Sequence, residues 1–169
     1  MTRFTRALRL RWLWLSWTSQ DRPWIGMQLP CDEDDKALFN TSTLVTLGNG
    51  ERASFWNSPW TGSGNLKSAF PKLFRHTRRK NRTVKEALEN NNWIVDLAHG
   101  DTASIWEEAI KLNRWIQNRD IQLQKQVSDS IRWKHEASGV YTVGSAYKAQ
   151  FQGFYKSDFR KLIWPPGHR

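Results

Sequence analysis

Apolar residues recur with a helical period over the first seventeen positions of the chain. Phe4, Leu8, Trp12 and Leu15 fall at i, i+4, i+8 and i+11, one continuous stripe that predicts a helix from Thr2 to Trp17. Arg3 and Arg6 lie off the stripe, while Arg11 lies close to it and has to snorkel. Trp14 and Trp17 widen the apolar face, so this helix is expected to pack on something. The period then drops to two on either side of Gly48-Asn49-Gly50, which predicts a hairpin with strands over 43–47 and 52–56. In that register Leu47 stands opposite Ala53 and Val45 opposite Phe55, an aromatic–β-branched pair on one face. Alternation returns at 130–134 and 140–143, joined by Glu136-Ala137-Ser138-Gly139 as a second, longer hairpin.

Helix signals separate these runs. Cys31-Asp32-Glu33-Asp34-Asp35 places acids in the first turn of a helix continuing through Ala37-Leu38-Phe39, where they oppose the helix dipole. Thr83 and Glu86 form a capping box for a helix to about Glu89, ended by Asn90-Asn91-Asn92. Asp101 or Ser104 starts the next, with Ser104 and Glu107 as a second capping box. Its face carries Ile105, Ala109, Leu112 and Ile116 at helical spacing, a core stripe. Ala146, Tyr147, Gln150 and Phe151 suggest one more short helix ending near Gly153, and Pro165-Pro166-Gly167 stops any regular element at the end. The expected fold class is α+β: two β-hairpins with three to four short helices, a small aromatic-rich core and loose termini. The expected organisation is an N-terminal helix and linker over 1–30, an α+β domain over 31–153 and an irregular tail over 154–169.

Composition changes this picture in two ways. The hydrophobic share of the 169 residues is 38%, so the core is small, but eleven Trp, eight Phe and three Tyr make it aromatic. That aromatic content argues against a disordered chain. The net charge of +10 favours polyanionic partners, nucleic acid before an anionic membrane. No apolar run is long enough to span a bilayer. The single Cys31 excludes an internal disulfide and a Cys-rich zinc site. Residues 1–17 are Arg-rich and free of acids, the composition of a mitochondrial presequence, which stands as an alternative to a nuclear or cytoplasmic location.

Charge is concentrated between Lys67 and Lys85, where eight basic residues occur without one acid. Within it Lys72, Arg75, Arg78, Arg79, Lys80, Arg82 and Lys85 are the candidate phosphate contacts for RNA or DNA. A solvated loop and a nuclear-import signal are the competing readings of the same residues. Trp56, Trp60 and Trp93 are either core or platforms for base stacking. A metal site at residues 32–35 is disfavoured, because adjacent helical carboxylates diverge whereas a divalent ion needs converging oxygens. His76, His99, His135 and His168 have no ligand partner at metal spacing. No nucleotide-binding glycine loop, no Tyr-x-Asp-Asp turn and no nucleophile–base pair is legible, so no catalytic residue, metal, cofactor or small-molecule substrate is expected.

The order of features resembles the C-terminal region of plant LINE-type (non-LTR) retrotransposon polyproteins, between the reverse-transcriptase and zinc-binding segments. The residues that carry it are ALRLRWLW at 7–14, DRPW at 21–24 and ALFNTSTLVTLGNGERASFW at 37–56. KNRTVKEALENNNWIVDL at 80–97, SIRWKHEASGVYTVGSAY at 130–147 and LIW at 162–164 complete the set. The resemblance implies a region that links polymerase to zinc module and helps hold RNA template or target DNA. In that family a Cys- and His-bearing segment follows Leu-Ile-Trp, whereas this chain continues Pro165-Pro166-Gly167-His168-Arg169. The catalytic Asp pair is absent as well. The expectation is therefore a non-catalytic, truncated piece of such a polyprotein with residual nucleic-acid affinity; a small basic RNA- or DNA-binding module is the alternative.

Overall fold

A computed structural model describes residues 2–19, 21–24, 26–97 and 103–152. In chain order these form α1 (Arg3–Thr18), α2 (Glu33–Ser42), β1 (Thr43–Thr46), α3 (Leu66–Ala69), α4 (Pro71–His76) and α5 (Val84–Leu88). A 3-10 turn (Glu89–Asn91), α6 (Asn92–Val95), α7 (Ala103–Arg119), β2 (Ser130–Trp133) and α8 (143–152) follow. The fold is a small α+β arrangement with a two-stranded antiparallel sheet of β1 and β2. No helix among the described residues is long and apolar enough to cross a membrane.

Two compact units share the chain. One is Thr43–Ile131; the other joins the chain up to Ser42 with the chain from Arg132 onward.

In the second of these, α1 packs on α2. The buried positions of α1 are Ala7, Leu10 and Trp14, not the expected stripe, and Phe4, Leu8 and Trp12 are exposed. The stripe was legible; the side that packs is set by partners. The N-terminus of α2 presents Asp32 and Asp35, which take Arg9, while Asp35 also faces Arg6 at 3.3 Å. The inward face is thus the apolar Ala7–Leu10–Trp14 row, and Arg6 and Arg9 flank it to reach the acids of α2. Trp133 is fully buried, edge-on to Tyr141 at 4.8 Å, and its indole N–H donates to Ser145 Oγ at 2.9 Å. The Tyr141 hydroxyl donates to the carbonyl of Ala7.

Thr43–Ile131 is built around Phe55. That ring meets Trp56 edge-on at 5.1 Å, Trp60 at 5.9 Å and Trp93 at 6.2 Å, and the Trp60 indole N–H donates to the Phe55 carbonyl. Ile105, Ala109, Leu112 and Ile116 of α7 are buried as their spacing predicts. Asn90 and Asn91 adopt the left-handed conformation that ends the preceding helix, and the Thr83–Glu86 capping box forms.

Neither predicted hairpin forms. Residues 53–55 pair with 82–84 instead of 43–47: Phe55 N–H donates to the Arg82 carbonyl and Val84 N–H to the Ala53 carbonyl. The tight turn fails because only Gly50 takes a positive φ, whereas a two-residue hairpin turn of the expected type needs one at Asn49 as well. β1 finds its partner in β2, more than eighty residues away. In the second case Trp133 N–H reaches the Gly139 carbonyl at 2.7 Å, but 140–142 forms no strand and Thr142 caps α8 through Ser145 N–H. Among the described residues eight helices stand where three to four were expected: α1, α2, α5, α7 and α8 fall on the predicted segments, α3, α4 and α6 were not foreseen, and Ser104 lies inside α7. The tail over 154–169, with Leu162-Ile163-Trp164, and the start of the loop at His99 lie outside the described residues.

Candidate nucleic-acid interface

The basic segment is held at both ends. After α4, Thr77 bridges to Leu97, its hydroxyl donates to the Leu73 carbonyl at 2.9 Å, and Arg78 N–H donates to the Asp96 carbonyl at 2.9 Å. Before α5, the Arg82 carbonyl and Val84 N–H are tied to Phe55 and Ala53. Between these anchors Arg78, Arg79, Lys80 and Asn81 are exposed. With Arg82 and Glu86 they line a shallow groove of about 380 Å³.

The seven candidate cations divide by what they touch. Arg82 is not free: its guanidinium grips Asp96, both are largely buried, and the carboxylate hydrogen bond holds the arginine above its ordinary value. Lys85 pairs with Glu51 at 2.7 Å, which likewise raises the ammonium. The Lys80 ammonium lies 5.2 Å from the centre of the Phe74 ring. Lys72, Arg75, Arg78 and Arg79 are all exposed; the Glu107 carboxylate feels Lys72, while among the described residues no acid lies within ion-pair distance of Arg75, Arg78 or Arg79. Arg78, Arg79, Lys80 and Arg82 are thus gathered on one groove, Lys72 and Arg75 project from the neighbouring α4, and Lys85 faces another cavity.

Base stacking finds no platform at the three expected tryptophans. Trp56 and Trp93 are each 1% exposed and Trp60 is 8% exposed, so all three are core. The acids at 32–35 serve α1 and the α2 cap, with Asp35 N–H donating to Asp32 Oδ1 at 2.9 Å. No group of three metal-ligating side chains occurs among the described residues. His76 contacts the Lys72 carbonyl and His135 contacts Ser42, while His99 and His168 lie outside the described residues. Burial first, and Asp35 next, push the Cys31 thiol up, away from nucleophilic reactivity.

One residue that sequence pattern did not mark organises the neighbourhood. The buried carboxylate of Asp129 accepts four backbone N–H bonds: Gly48 at 2.7 Å and Gly50 at 2.8 Å on Oδ1, Arg52 and Ala53 at 2.9 Å on Oδ2. Burial alone would raise this carboxyl; the four donors more than offset it and hold it below the ordinary carboxylate value. Because its partners are main-chain amides, no side-chain pattern announces it. By fixing 48–53 it also fixes Ala53 and Phe55, the rail on which Arg82 and Val84 are held.

Compared with protein-family models, curated proteins and solved structures, the chain gives no match.

Proposed function

We propose that this chain is a non-catalytic part of a LINE-type retroelement polyprotein that contacts the phosphates of a single-stranded nucleic acid through Arg78, Arg79 and Lys80. The observation that carries the reading is that these three cations stand exposed along one groove, with no acid paired to them and their backbone anchored on both sides. A phosphate backbone is the polyanion such a row fits, and the net charge of +10 adds long-range attraction. The retroelement origin rests on the resemblance.

The test is the salt dependence of binding to a short single-stranded RNA, read by fluorescence anisotropy. Affinity falls linearly in log–log form, and Arg78→Ala/Arg79→Ala/Lys80→Ala makes the slope shallower by about 2, at roughly 0.7 per phosphate contact on a single strand. An unchanged slope removes the groove from the interface. For the origin, the DNA adjoining the coding sequence is expected to encode polymerase motifs upstream or a Cys/His segment downstream; neither being present would overturn it.

A further inference from the structure

On another side of α5 from the groove lies a second cavity, of about 450 Å³, and it is built differently. Glu86 of α5 faces the phosphate groove, while Lys85 and Leu88 of the same helix face the cavity. Its apolar lining is Leu88, Ile121 and Leu123, all half-buried. Leu123 is held in place by close packing: a Cβ built on Gly50 would come within 3.1 Å of its Cδ1. The stretch 121–125 is in turn fixed by Gln124 N–H, which donates to the Gly48 carbonyl at 2.8 Å. The floor therefore rests on the loop that Asp129 locks, and it is preformed.

The rim is charged but balanced. Lys85 and Lys125 stand against Glu51 and Glu89, with Asn49 beside them, and the Glu51 carboxylate accepts from both Lys85 Nζ and Asn49 Nδ2. An ion entering this cavity gains nothing net from the rim and loses water to the apolar floor. A neutral group with a flat apolar body and a polar edge fits both parts, and the volume falls in the range of small-ligand sites, about 300–1,000 Å³. Next to a row of phosphate-binding cations, the neutral flat group at hand is the base of the same strand.

We infer that the Leu88–Ile121–Leu123 cavity receives an unstacked nucleobase of a single strand whose phosphates run along Arg78–Lys80, with α5 as the ridge between the two sites. This rests on the phosphate-binding reading above. The base is buried against aliphatic walls and offers its edge to Asn49, Glu51 and Lys125. The pocket thereby supplies the apolar contact for a base that the buried tryptophans do not.

The test changes the ligand, so that folding of the protein is not at issue. Binding of a short single-stranded RNA to the full chain is compared with that of a strand of equal length whose central nucleotides are abasic. Removing the bases weakens binding by about tenfold or more, the scale of burying one apolar group, and leaves the salt slope unchanged. A strand bearing 4-thiouridine crosslinks on irradiation to peptides containing 85–89 or 121–125. Equal affinity of natural and abasic strands, or crosslinks confined to other segments, overturns the base pocket while leaving the phosphate groove standing. Salt-independent or absent binding of both strands overturns the groove reading and the pocket with it. An apolar peptide side chain as the true occupant shows itself as equal affinity of the two strands.

Discussion

Asp129 Oδ1 accepts the N–H of Gly48 at 2.7 Å across 81 positions of sequence, and the same carboxylate closes on Gly50, Arg52 and Ala53. This side chain converts a glycine-rich turn into a fixed platform. Asp129→Asn keeps the shape but turns an amide NH2 toward two of the four donors. Given about 1.5–3 kcal/mol for a hydrogen bond to a charged group and a comparable cost for stranded buried donors, the expected loss is roughly 2–4 kcal/mol. Urea unfolding followed by tryptophan fluorescence measures it; a change within a few tenths would show the lock to be unimportant.

The same carboxylate sets an acid limit. Its pKa is lowered on folding, so the unfolded chain binds the proton more readily. Its contribution is fully present above the unfolded value, about 3.9, and is lost as pH falls through the lower folded value. Melting temperature is therefore expected to drop as the medium is acidified below about pH 4, and to drop less in Asp129→Asn. Parallel acid curves for the two proteins would sink this account.

An alkaline limit comes from Tyr141, whose phenol is pushed well up by burial, with Arg11 acting weakly the other way. Its stabilisation is fully present below the unfolded value, about 10, and is lost as pH rises toward the folded one. Tyr141→Phe removes the bond to the Ala7 carbonyl, at a cost of about 1 kcal/mol, and removes this alkaline dependence. Ultraviolet titration of phenolate checks it directly: the Tyr141 phenol ionises above the ordinary tyrosine range, and the Tyr141→Phe protein lacks that step.

Two glycines respond in opposite directions to the same substitution. A Cβ on Gly48 would fall 2.1 Å from the Val127 carbonyl oxygen and 2.7 Å from that of Ser128, both main-chain atoms. Gly48→Ala is expected to cost about 1–3 kcal/mol or more through displaced backbone. At Gly144, in α8, nothing lies within 4 Å of the added carbon, so Gly144→Ala gains up to about 1 kcal/mol of helix propensity. Thermal melts of the two variants should move to opposite sides of the parent.

The basic segment separates into a structural part and the part proposed to meet phosphates. Arg82→Ala strands the buried Asp96 carboxylate and is expected to destabilise by about 3–5 kcal/mol. Arg78→Ala/Arg79→Ala/Lys80→Ala leaves stability within about 0.5 kcal/mol, since these side chains are exposed, and changes RNA binding instead. A stable Arg82→Ala protein, or an unfolded triple variant, would reverse that division.

Local chemistry was legible along the chain. The capping box at Thr83 and Glu86, the asparagines that stop the helix before α6, the α7 stripe and the acidic start of α2 each depend on neighbours within a turn or two, and each stands in the structure. The clustering of cations between Lys67 and Lys85 was equally plain from composition. Tertiary structure decided the rest, because pairing over long separations leaves no local mark. Val45 and Phe55 alternate as hairpin arms do, yet β1 takes β2 and Phe55 takes Arg82, since Asp129 claims the amides between them. Phe4, Leu8 and Trp12 form an apolar stripe of α1 but face outward, because Ala7, Leu10 and Trp14 pack inward, Ala7 and Trp14 against Tyr141, with Arg6 and Arg9 beside them meeting Asp35. Of seven candidate phosphate contacts, Arg82 and Lys85 are engaged by Asp96 and Glu51, carboxylates outside the basic run that only folding brings to them.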